Sequence, residues 1–77
     1  MNKDRFVALM IMITPDIINK IMHKYGLDED RAMILFYKSK VYKLLEKEET
    51  KLWQYSSEMI VELFDREQNG RLELPEV

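Results

Sequence analysis

The eight residues Phe6-Val7-Ala8-Leu9-Met10-Ile11-Met12-Ile13 include no polar position, and this run constrains the chain more than any other feature. Its Leu, Met and Ala content favours a helix over a buried strand. A run of this length exceeds two helical turns, so every side of the helix is apolar and one packing face cannot absorb it. Either the other helices sheathe it as a central element, or a second chain covers its outward side. The second outcome is the expectation. It assigns Phe6, Leu9, Met10, Ile13 and Ile17 as partner-binding residues, with another copy of the chain or a second small protein as the partner.

Size adds weight to that expectation. A chain of 77 residues buries only roughly 60 to 65% of its unfolded surface, a marginal core. It has no cysteine for disulfides or thiolate metal sites, and its single histidine, His23, cannot build a zinc site. Oligomerisation is the staple left to it. With 47% hydrophobic and 34% charged residues and only two glycines and two prolines, a low-complexity tail and a collagen-like chain are excluded. No internal repeat or Gly/Ser-rich linker divides the sequence, so residues 1–77 read as one domain.

The fold class is all-α, a small bundle of three to five short helices with an extended C-terminal tail. The first helix is predicted from about Lys3 to Tyr25, with Gly26 as a left-handed C-cap. Pro15 lies inside it, and Thr14 as N-cap with Pro15 at the first helical position predicts a kink or two abutting helices. Asp28 caps a second helix, with Ala32, Met33, Ile34, Leu35 and Phe36 as its apolar positions. Ser39 interrupts or recaps it, and Val41, Tyr42, Leu44 and Leu45 form a short amphipathic stretch. Glu46 to Gln54 reads as a helix end and a loop anchored by Trp53. Ser56 or Ser57 starts the last helix, buried through Met59, Ile60, Leu63 and Phe64, and Asn69-Gly70 stops it.

The segment from Asp65 to Glu76 has the spacing of a calcium-binding EF-hand loop: Asp65, Glu67, Asn69, Glu73 and Glu76 at ligand positions, and Gly70 at the sharp turn. Glu67 is longer than the usual third ligand, and neither an exiting helix nor a second loop follows. An acidic helix stopped by an Asn-Gly cap is the simpler reading, so no metal or other cofactor is assigned. Lys38, Lys40, Lys43, Lys47 and Lys51, interleaved with Tyr37, Tyr42 and Trp53, are the candidates for nucleic-acid contact. Glu46, Glu48 and Glu49 dilute that patch and no Arg, Asn or Gln is placed for base edges, so nucleic acid is not an expected partner. No nucleophile accompanies His23, and no triad, metal set or phosphate loop is present, so an enzyme is not expected.

Net charge is -2, which gives no general attraction to phosphate backbones or anionic lipid. Residues 58–77 carry two basic against six acidic side chains, which leaves the C-terminal end acidic. Asp4 in the would-be basic region and Thr14-Pro15-Asp16 after the apolar run argue against a secretory signal. The run itself falls short of the ~20 residues needed to span a bilayer. A cytoplasmic location without membrane contact is therefore expected.

From Leu27 to Pro75 the sequence resembles a family of short uncharacterised helical proteins from Firmicutes. The residues that carry the resemblance are Phe36, Tyr37, Ser39, Lys40, Tyr42, Leu44 and Leu45, then Glu49, Thr50, Lys51, Leu52 and Trp53. It implies a cytoplasmic helical domain encoded near small toxin/antitoxin-like genes, and hence an antitoxin-like or regulatory role. It supplies no catalytic residue.

Overall fold

A computed structural model describes residues 2–70. Four α-helices and two short 3-10 turns make an all-α fold: α1 Lys3–Tyr25, α2 Glu29–Tyr37, α3 Lys40–Leu45, the turns Glu48–Thr50 and Leu52–Gln54, and α4 Ser57–Gln68. The expected tail over residues 71–77 lies outside the described residues.

Short polar side chains set the boundaries, since each accepts from one of the N–H groups that a helix start leaves unpaired. Asn2, Asp28, Ser39 and Ser56 accept from the backbone N–H of Arg5, Arg31, Tyr42 and Met59. Gly26 closes α1 in the left-handed region, at φ 65°, where a Cβ would be strained. The Glu46 to Gln54 connection is more ordered than a loop. Its two 3-10 turns are joined through Lys51 at φ 60°, and the Trp53 indole N–H donates to the Glu48 carbonyl over 2.7 Å.

Pro15 does not divide α1, which corrects the expectation of two abutting helices. Thr14 does not cap forward; its hydroxyl donates back to the Met10 carbonyl at 2.7 Å. Downstream of the proline, Ile17, Ile18 and Ile21 are buried. Their packing holds the second half of α1 on the core and outweighs the one ladder bond that the missing proline N–H removes.

The core lies between the second half of α1 and the inner faces of α2, α3 and α4. Phe36 is fully buried at its centre. Its ring meets Phe64 at 5.9 Å and Tyr42 at 5.3 Å, both edge-on, and Tyr25 meets Phe64 at 6.0 Å. These are the offset geometries that aromatic quadrupoles favour. Ser39 is the one buried polar residue of the described chain, and both of its hydroxyl bonds are local, to Phe36 and Tyr42.

Candidate interaction surface

The first half of α1 extends past this core. Val7, Ile11 and Met12 are 46, 68 and 74% exposed, and Ile34 on α2 is 55% exposed. Ala8 is exposed as well. Val7, Ala8, Ile11 and Met12 leave the first half of α1 with exposed apolar surface, and surface of that kind marks contact sites when it is contiguous.

The residues expected to bind a partner differ in exposure. Ile17 is fully buried in the core. Phe6, Leu9, Met10 and Ile13 are half-buried. Phe6 sets its ring edge-on against Trp53 at 6.4 Å, and Met10 and Ile13 pack against the core. The free surface lies on the neighbouring azimuth, at Val7, Ala8, Ile11 and Met12. An unbroken apolar run carries no periodicity to mark its outer side, so only the position of the other helices could reveal it.

Val7 and Ile11 also line an open apolar groove of about 430 Å³ between α1 and the α2–α3 corner, with Glu46 on its lining. Tyr37 and Tyr42 meet edge-on there at 4.8 Å. Burial pushes the Tyr42 phenol above its ordinary pKa, and the Glu46 carboxylate adds to the shift. The Tyr42 phenol therefore keeps its proton near neutral pH.

Polar contacts fasten α1 to α4. Ser57 donates to the Asp16 carboxylate, while the Lys20 ammonium sits 3.2 Å from Glu58 and 3.6 Å from Asp16. The bond to Glu58 raises the Lys20 pKa. Glu58 is held below its usual range, by its own backbone N–H first and by Lys20 second. Further along, the Tyr25 hydroxyl donates to Asp65, and Lys24 lies 3.8 Å from the same carboxylate. Burial is the larger cause, and the bond to Asp65 the next, of a Tyr25 pKa well above the ordinary phenol value.

The would-be calcium ligands are engaged in the fold. Asp65 and Glu67 lie within α4, which runs on to Gln68, whereas the first ligands of an EF-hand sit in a loop. Asp65 accepts from Tyr25, and the Glu67 carboxylate accepts from the backbone N–H groups of Lys40 at 2.9 Å and Val41 at 3.0 Å. The Asn69 amide donates to the Asp65 carbonyl. Glu73 and Glu76 lie outside the described residues. Among the described residues, no three or more His, Cys, Asp or Glu side chains are grouped to hold a metal.

Lys38, Lys40, Lys43, Lys47 and Lys51 are all exposed, as is Tyr37, while Tyr42 and Trp53 are half-buried.

Because α1 continues through Pro15, the eight-residue count understated its apolar length. The 23-residue helix is long and apolar enough to cross a bilayer, with a mean hydropathy of 1.4 over its best 18-residue window and 17% of that window buried. Its second half nevertheless supplies Ile17, Ile18 and Ile21 to the core. No family model, curated protein or solved structure matches the chain.

Proposed function

We propose that this protein acts by contact rather than catalysis, as a small helical module that self-associates through the exposed apolar face of α1. The observation that carries this reading is the exposure of Val7, Ile11 and Met12 on a helix whose later residues Ile17, Ile18 and Ile21 are buried. Covering three large side chains of this kind stabilises an interface by about 3 to 6 kcal/mol before the cost of association. That is comparable with the margin by which so small a core holds its fold. An antitoxin-like or regulatory role fits such a module, since binding is then its whole activity.

Light scattering coupled to sizing tests the reading. A mass above that of one chain at high micromolar concentration is expected, and Met12→Glu together with Ile11→Glu returns the protein to one chain without changing its melting. Leu9 and Ile13 are the wrong positions for this test, because half-buried side chains carry stability as well as contact.

The length and hydropathy of α1 favour a second reading, in which the helix enters a lipid bilayer. A cytoplasmic, soluble placement is supported instead by Ile17, Ile18 and Ile21, since insertion would strip their partners Phe36 and Phe64 of cover. Flotation with neutral phosphatidylcholine vesicles separates the two: the protein stays at the bottom of the gradient if contact with protein is its role.

A further inference from the structure

The self-association read above has an orientation and a register written into the charges that flank the apolar face. Arg5, Ala8, Met12 and Asp16 fall at i, i+3, i+7 and i+11 along α1, a spacing that aligns them on one line of the helix over about three turns, ~16 Å. The line therefore begins on a cation, passes over the exposed Ala8 and Met12 and ends on an anion, while Val7 and Ile11 lie more than a quarter-turn round the helix from it. A second copy laid parallel would set Arg5 against Arg5 and Asp16 against Asp16. Laid antiparallel about a two-fold axis midway along the line, it sets Arg5 against the partner's Asp16 at both ends. Such an isologous contact repeats every favourable pair twice.

Two features of the flanks favour the antiparallel arrangement. Among the described residues the Arg5 guanidinium has no ion-pair partner, since only its backbone N–H is used, by the Asn2 cap. At the other end, Asp16 and Glu58 share the single ammonium of Lys20, so this cluster carries one uncompensated negative charge. Asp16 remains half exposed at its side chain while accepting from Ser57, and a carboxylate has lone pairs for a further donor.

We propose that the occupant of the α1 face is a second copy of this chain in antiparallel register, with Arg5 of each protomer paired to the Asp16 cluster of the other. This rests on the self-association reading, and sedimentation equilibrium separates the two. Arg5→Glu and Asp16→Arg each place two like-charged pairs in the interface and are expected to weaken association about tenfold. The Arg5→Glu/Asp16→Arg double variant restores the pairs in reversed sense and recovers affinity to within about threefold.

The wild-type chain has no cysteine, which permits a direct reading of orientation. Mixed Arg5→Cys and Asp16→Cys chains are expected to form a disulfide with each other, and Arg5→Cys alone none with itself. Wild-type protein that stays monomeric at high micromolar concentration overturns self-association altogether. A wild-type dimer that Arg5→Glu leaves at full affinity, or in which Arg5→Cys bridges to itself, overturns the antiparallel pairing alone. Because the Arg5 side chain is in no hydrogen bond or ion pair among the described residues, its variants remain informative even where Asp16→Arg, which also loses Ser57 and Lys20, melts early.

Discussion

Replacing Glu67 with alanine tests how the end of the chain is tied to its middle. The Glu67 carboxylate reaches from α4 to the start of α3, with one oxygen 2.9 Å from the Lys40 nitrogen and the other 3.0 Å from that of Val41. A helix as short as α3 has no stability of its own in water, so it depends on what holds its ends and its inner face. The variant leaves two N–H groups without a protein partner; losing a side-chain cap costs about 0.5 to 2 kcal/mol, and losing the negative charge at the positive end of the helix dipole costs about 0.3 to 1. The bond to Lys40 is exposed and water replaces part of it, so about 2 kcal/mol is expected, or a fall of about 10 °C in Tm for a chain of this size. Glu67→Gln keeps one acceptor oxygen and loses the charge, and is expected to fall about midway. Urea unfolding followed by circular dichroism gives the stability, and amide exchange at Lys40 and Val41 reports the two groups directly. If the alanine variant lies within about 0.5 kcal/mol of wild type, with those two amides equally protected, α4 does not cap α3 as described.

Lys51 is exposed and holds a left-handed φ of 60°; Lys51→Gly is expected to stabilise the fold by about 0.5 to 1 kcal/mol, read from the urea midpoint. Gly26→Ala, at φ 65° with open space around it, is expected to cost about 1 kcal/mol through backbone strain alone. Phe36→Ala removes the ring at the centre of the aromatic cluster and costs about 3 to 5 kcal/mol, enough to leave the protein largely unfolded at 37 °C. The raised pKa of Tyr25 means that, above pH 10, the unfolded chain ionises this phenol while the folded chain keeps its proton. Stability present below pH 10 is therefore lost as pH rises beyond it. Tyr25→Phe is expected to lower stability at pH 7 and to remove part of that alkaline loss, and an unchanged slope of melting temperature against pH would contradict a raised Tyr25 phenol.

Helix starts were legible because each is decided within four residues: Asp28, Ser39 and Ser56 are short acceptors placed ahead of apolar periodicity, and Gly26 is the residue that turns left-handed without strain. The lack of a break at Pro15 was not legible, because what holds α1 together there is burial of Ile17, Ile18 and Ile21 against partners far along the chain. The surface was legible as a segment but not as a face. A run without polar residues announces that something is left uncovered, and it gives no azimuth; Phe6 and Ile13 turned inward while Val7, Ile11 and Met12 stayed out. The bonds from Ser57 to Asp16, Tyr25 to Asp65 and Glu67 to α3 join residues 26 to 41 positions apart, and no local pattern signals them. They also account for acidic residues whose spacing had suggested a cation site.

Sedimentation equilibrium of the wild-type chain across the micromolar range, with Met12→Glu as its control, decides whether α1 mediates self-association. A reversible dimer is expected, whose dissociation constant the single substitution raises at least tenfold while the melting curve at monomer concentrations is unchanged. A wild-type protein that sediments as one chain throughout that range would contradict it.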